Sequence, residues 1–351
     1  MTKSFNGGIV AISLASLASL AIGARILPGQ ASSAITAAPV KAFAPYIDAH
    51  AHLDDRSAAG ISSMLDTMSR QNVKKVFLLV PPYTFDDPTN YDTEVVLAIG
   101  KQHLDKLSVI GGGGSLNAML QQSVISGDSS PAVQTKFKAR AEELARLGVI
   151  GFGEMTTEHF PSPGSATYQY APADHPLLLL LADIAAQHSL PIVLHTEAVP
   201  QDMPLPAPLK SPPNPPALHA NIDALGRLLA HNPRAKIIWA HAGSDNTGFR
   251  TPDICRGMLA AHPNLYMEIK VDPTSLGKNP PVADGKIKPD WLQLYKDFPD
   301  RFIIGSDQHY PEGKGPQRWQ AAIQLLDQLP ADLRAKIGMQ NPLRIYDGKP
   351  D

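Results

Sequence analysis

Tyr46-Ile47-Asp48-Ala49-His50-Ala51-His52 is a short strand-like run that ends on two histidines, one residue apart. Four later runs of the same kind also finish on a potential metal ligand. Glu154 follows Val149-Ile150-Gly151-Phe152-Gly153, and His195 follows Pro191-Ile192-Val193-Leu194. His241 follows Ile237-Ile238-Trp239-Ala240, and Asp307 follows Phe302-Ile303-Ile304-Gly305-Ser306. Strands that each hand one ligand from their carboxyl end to a common mouth are how a (β/α)8 barrel builds a metal site. The pattern therefore predicts the α/β class, a single (β/α)8 TIM barrel, and a metal-dependent enzyme.

The chain around these runs repeats one unit. Short apolar runs rich in β-branched residues predict strands over 46–50, 74–80, 107–111, 148–154, 190–195, 235–241, 264–270 and 301–306. Helical patterns between them predict helices near 58–71, 92–103, 131–147, 174–188, 218–231, 250–261, 289–297 and 316–328. Eight such alternations indicate a parallel sheet wound with helices. The clearest helix is Ala139-Arg140-Ala141-Glu142-Glu143-Leu144-Ala145-Arg146-Leu147, with Gly148 as its stop signal. The length of 351 residues suits one barrel with insertions, since the fold commonly takes ~250 residues.

Composition narrows the partner. The formal net charge is −2, charged residues make up 18%, and no run of Lys or Arg stands out. Nothing here marks a nucleic-acid or anionic membrane surface, so the expected partner is a small molecule. At the amino end, Lys3 precedes a mostly apolar and small stretch from Gly7 to Ala24, followed by Ala31, Ser32 and Ala34. This predicts a signal peptide over 1–34, with an uncleaved membrane anchor as the alternative. A leader over 35–44 then precedes a barrel domain over 45–351. Cleavage would leave a periplasmic or secreted protein with no stable membrane association. Cys255 is the single cysteine, so no intrachain disulfide can form, and its helix-like run predicts a buried thiol.

Two connections are unusually long. Eight prolines between Val199 and Ala217 forbid regular helix and predict an extended, semi-rigid loop beside the His195 strand end. A second loop, from Asp272 to Lys288, follows the seventh strand. Loops on the carboxyl face of a barrel serve as lids or substrate walls.

Imidazole and carboxylate together suit zinc, manganese or ferrous iron, and the lack of clustered cysteine argues against a thiolate zinc site. Residues i and i+2 of a strand face the same side, so His50 and His52 can converge on one ion, with Asp48 on their face. Taken singly, His195 or His241 would read as a core histidine, Glu154 as a salt-bridged carboxylate, and Asp307 as a helix cap.

Taken together they resemble the amidohydrolase superfamily, and within it the amidohydrolase-related (type 2) branch, which also contains decarboxylases of the aminocarboxymuconate-semialdehyde type. The matching pieces are Asp48-Ala49-His50-Ala51-His52, Leu194-His195, Ala240-His241-Ala242-Gly243, Asp300-Arg301-Phe302-Ile303-Ile304-Gly305-Ser306-Asp307 and Asn341-Pro342-Leu343-Arg344-Ile345-Tyr346. The resemblance spans roughly 45–346. It implies His50, His52 and Asp307 as ligands of one metal, with His195 joining them or binding a second. Binuclear members carry a bridging carboxylated lysine or glutamate on strand four, a place taken here by Glu154, whereas many type 2 members use one metal and no ligand there. His241 is either a further ligand or, with one ion bound, a group that orients water or stabilises an oxyanion. The implied cofactor is one or two divalent ions, zinc first, with manganese or iron as alternatives.

A bound divalent ion lowers the pKa of its water from ~15.7 to ~7 and polarises the scissile group. The resemblance gives Asp307 the task of accepting the water's proton and returning it to the leaving group. The expected reaction is hydrolysis of a C–N or C–O bond in an amide, lactone or ester. The alternative is a metal-dependent non-oxidative decarboxylase, which wants cationic carboxylate anchors; Arg250, Lys270 and Arg256 are the candidates. Two further readings are a TatD-type nuclease, which shares the strand-four glutamate but wants a basic stripe, and a non-catalytic exported binding protein, which would have lost ligands.

Overall fold

Eight parallel strands alternate with helices in the computed structural model, which describes residues 43–85, 90–160, 168–210, 214–272, 279–311 and 318–347. The strands are β1 (Tyr46–Leu53), β2 (Val73–Leu79), β3 (Leu107–Gly112), β4 (Phe152–His159), β5 (Ile192–Thr196), β6 (Ile237–Ala242), β7 (Leu265–Ile269) and β8 (Phe302–Ile304). Each pairs with its sequence neighbour. The sheet closes because Gln308–Tyr310, just beyond β8, pairs in parallel with β1, setting Ala51 against Gln308 and His52 against His309. The two margins of the sheet are thus met by one stretch of chain, which is the barrel the sequence predicts.

Among the described residues these strands are accompanied by helices α1 (Ala58–Arg70), α2 (Thr93–Gly100), α3 (Leu116–Ser126), α4 (Pro131–Leu147), α5 (Pro176–His188), α6 (Ile222–His231), α7 (Pro252–Ala261), α8 (Pro289–Asp297) and α9 (Arg318–Leu326), and two five-residue helices, Ala331–Ala335 and Asn341–Ile345, follow. Local chemistry explains their ends. Proline opens α4, α5, α7 and α8, where its missing N–H would be unpaired in any case. Ser57 and Thr251 accept backbone N–H groups at the starts of α1 and α7. Gly148 stops α4 at a φ of 92°, as its position predicts.

Three expectations need correction. Helix α3 is an addition to the predicted set, because its buried side includes Asn117, Gln121 and Ser123 and so lacks an apolar stripe. Strand four begins at Phe152 instead of 148 and runs on to His159, so Glu154 lies near its start and not at its end. The described parts of the proline-rich connection, which leave out 211–213, carry regular structure: Met203–Pro204 pairs antiparallel with Ala217–Leu218, and Ala207–Leu209 forms a 3-10 turn. Leu205, Leu209 and Leu218 then pack with Phe160 and Val199 into a small apolar cluster of their own.

The second long connection carries the short hairpin Val282–Ala283 with Lys286–Ile287, and residues 273–278 lie outside the described residues. So do the expected signal peptide over 1–34 and all but the last two residues of the leader. Cys255 is buried in α7, and burial pushes its thiol up to about 12.

Candidate metal centre

The closure of the barrel brings the first and last predicted ligands together. Asp48 accepts hydrogen bonds from the backbone N–H and the hydroxyl of Ser306, and the N–H of Asp307 donates to the His50 carbonyl at 2.8 Å. Asp48 therefore locks β1 to the chain after β8 instead of facing the ligands. The i, i+2 expectation fails for it because the β1–β2 register shifts between Asp48 and Ala51. Burial raises the Asp48 carboxyl to about 6.

All six predicted residues meet in one buried cluster. His52 donates Nδ1–H to the Leu79 carbonyl at 3.1 Å, which leaves Nε2 as the nitrogen able to accept, 3.1 Å from Asp307 Oδ1 and 3.9 Å from Glu154 Oε2. His50 Nε2 lies 3.6 Å from Glu154 Oε2 and 3.7 Å from Asp307 Oδ1, buried and without a hydrogen-bond partner among the described residues. On the other side of Glu154, Oε1 meets His195 Nδ1 at 2.8 Å and His241 Nε2 at 3.1 Å. His241 and Asp307 adopt φ values of 66° and 53°, the left-handed region that non-glycine residues enter at a cost and mostly at functional sites.

Several participants went unread in the sequence. Glu268, within β7, is completely buried; its Oε2 lies 3.0 Å from His50 Nδ1 and its Oε1 3.5 Å from His241 Nδ1. A carboxylate behind an imidazole fixes the ring and turns its other nitrogen toward an ion. Gly305 makes room for it, since a Cβ there would come within 2.1 Å of the Glu268 carboxyl carbon. The signal was present: a lone glutamate inside the apolar run Leu265-Tyr266-Met267-Glu268-Ile269 must find buried partners. Glu197 accepts from the backbone and side chain of Asn246 and faces His195 Nε2 at 3.8 Å. His309 stacks on His52 with 4.7 Å between ring centroids.

Of the three proposed cationic anchors, Lys270 reaches the site, with Nζ 2.6 Å from Asp307 Oδ2. Arg250 is instead buried against the Trp239 ring and donates to the Ala240 carbonyl, and Arg256 pairs with Asp297 on an outer helix. The second cation on Asp307 is Arg318 from the start of α9, 3.1 Å from Oδ2 and bonded also to Asp272.

The electrostatics follow from this crowding. Burial alone would discharge His50, yet Glu268 and Glu154 outweigh it and push the ring well above its usual range. Burial likewise favours neutral carboxyls, but His50, His195 and His241 hold Glu154 well below the carboxylate range. Glu268 is held down to about 2 by His50 and His241, and Asp307 well below its ordinary value by Lys270 and His52, both against burial. Three buried carboxylates thus draw positive charge into the cluster. Protons on the histidines are one source, and a divalent cation that displaces them is the other. The donor set fits such an ion: imidazole nitrogens and carboxylate oxygens only, grouped as His50, His52 and Glu154, as His50, His241 and Asp307, and as Glu154, His195 and His241, each within 4.8 Å.

The amidohydrolase family model (Amidohydro_2) matches residues 47–348. No curated protein matches the chain. Among solved structures, a protein named as a probable 2-pyrone-4,6-dicarboxylic acid hydrolase from Acinetobacter baumannii shares 14% identity at a TM-score of 0.50, over 87% of this chain and 100% of the other. A protein named for the same activity from Pseudomonas putida shares 15% at 0.50, over 88% and 99%. A 2,6-dihydroxybenzoate decarboxylase from Rhizobium shares 14% at 0.47, over 86% and 98%. At such identities the first two show a common fold and nothing of the substrate. The family match over most of the chain confirms what the motifs implied: the chain belongs to the amidohydrolase family and is an enzyme of that superfamily.

Proposed function

We propose that this enzyme is a metal-dependent hydrolase acting on a C–N or C–O bond of a small molecule, an amide, lactone or ester. One observation carries the reading. Glu154 turns Oε2 toward His50 and His52, at 3.6 and 3.9 Å, and Oε1 toward His195 and His241, at 2.8 and 3.1 Å. A carboxylate with one oxygen for each of two imidazole groups suits a bridge between two ions, and paired ions suit hydrolytic chemistry. His50, His52, Glu154 and Asp307 would hold one ion, and Glu154, His195 and His241 the other. When bound, divalent ions supply an acidified water and polarise the scissile oxygen.

The protein's own groups supply the rest. Glu268 and the Leu79 carbonyl hold His50 and His52 in fixed tautomers. Asp307 would accept the water's proton, with Lys270 and Arg318 paired to its Oδ2. Those cations make the carboxyl a poor place for the proton to stay, which suits a group that must pass it to the leaving atom. Zinc is the proposed metal, since three or four imidazole and carboxylate ligands per ion is its usual set. The stretch Gly7 to Ala24 supports an exported, periplasmic or secreted location.

Metal analysis of the purified chain, followed by turnover on a panel of amides, lactones, esters and aromatic carboxylates, tests this reading. Two ions per chain with cleavage of an amide, lactone or ester is the expected result. One ion per chain with release of carbon dioxide from a carboxylate would replace it with the decarboxylase.

A further inference from the structure

One histidine outside the six candidate ligands, His309, sits where the buried cluster meets solvent. His309 pairs in register with His52 across the barrel closure, and the two rings lie 4.7 Å apart, tilted by 31°. His52, Asp307 and His309 each offer a ligand atom within 4.8 Å of the other two. Asp54 engages His309 Nδ1 at 3.0 Å, the same carboxylate-behind-imidazole arrangement that Glu268 provides for His50. With the proton held on Nδ1, Nε2 carries the lone pair that a cation requires.

Side-chain exposure falls steadily inward along this path. It is 45% at His309, 13% at Asp307, 3% at His52 and 0% at His50. A hydrated divalent ion gives up its waters reluctantly, so ligands met one after another ease its way into a buried site. His52 has only Nε2 to offer, because the Leu79 carbonyl takes Nδ1. It can therefore serve an outer seat with His309 or the inner one with His50, but not both at once. Asp307 is common to both groups as well.

We propose that His52, Asp307 and His309 form an outer divalent-metal position through which the ion passes between solvent and the buried ligands. The proposal rests on the metal-dependent reading above. His309 is a ligand of passage in this scheme, and Asp54 positions it. A position visited on the way lowers the barrier in both directions alike, so it alters the rates of uptake and removal without altering the final affinity.

The test follows zinc uptake by the metal-stripped full chain, and zinc removal by excess chromogenic chelator, in stopped flow. Zinc content and affinity at equilibrium are measured on the same samples. His309→Ala is expected to slow uptake and removal by the same factor, on the order of tenfold for a barrier raised by about 1.4 kcal/mol, with zinc content and affinity unchanged. Asp54→Asn is expected to slow both by a smaller common factor. Where the alanine variant fails to fold, His309→Asn takes its place. Uptake at the wild-type rate with normal zinc content overturns this proposal alone. A loss of affinity expressed only in faster removal also overturns it, by making His309 a ligand of the resting centre. A chain that takes up no zinc in any form overturns the metal-dependent reading and this one together.

Discussion

The floor and the mouth of the barrel are built from the same strands a few residues apart, and they differ in almost every physical respect. On the floor, Ile47, Phe77, Ile110, Val193, Ile238 and Ile303 pack into an apolar plug that Tyr346 helps to close. At the mouth the strands and their ends carry His50, His52, Glu154, His195, His241, Glu268 and Asp307, with two of these residues in left-handed backbone conformations. The floor gains from burying hydrocarbon, whereas the mouth gathers charges that burial disfavours and only mutual pairing sustains. Stability and chemistry are thereby assigned to separate layers of one sheet. A strained, charged site persists because the layer beneath it is well packed.

The largest expected effect lies at the mouth. Asp307→Asn keeps the shape but removes the charge and the capacity to take a proton. Turnover on the substrate that the panel yields should fall by about 10²–10⁴-fold even with metal in excess. Near-normal turnover in the metal-loaded variant would move the proton task away from Asp307.

The next effect belongs to the floor. Ile303 is fully buried there, and Ile303→Ala should cost about 2–5 kcal/mol in urea unfolding. Metal content per folded chain should stay at the parent value. A drop in metal content in step with the lost stability would show the two layers to be coupled and break the contrast drawn above.

The smallest effect sharpens the boundary between the layers. Glu268→Gln removes the charge behind His50 and His241 and should weaken metal binding by about 10–100-fold without abolishing it. It should also change the acid limb of stability in the metal-free protein. The Glu268 carboxyl is held down to about 2 from an ordinary 4.5, so its contribution is present above about pH 4.5 and is lost as the pH falls toward 2. The variant should lose less stability across that interval. Identical acid limbs in parent and variant would rule out the paired carboxylate as the cause.

Much of this layout was legible in the residues. Eight apolar runs of period and length suited to strands, each followed by a helical pattern, are enough to specify the barrel, because hydrophobic periodicity and short connections leave few other arrangements. The meeting of the six candidate residues in one cluster was legible for a related reason: polar groups at or near the ends of buried strands have one common place to go, the mouth. What could not be read depended on register and on contacts between distant strands. Helix α3 hides a polar inner face, and Asp48 leaves its expected side because β1 shifts register beside it. Glu268 gave a local sign of burial but no sign of its partners, which come from β1 and β6, far away in the chain. The seating of Lys270, Arg318 and His309 around Asp307 and His52 depends on how the chain after β8 returns to β1. Periodicity belongs to a strand alone and so is written in its residues, whereas the pairing of charges across a closed sheet exists only once the sheet has closed.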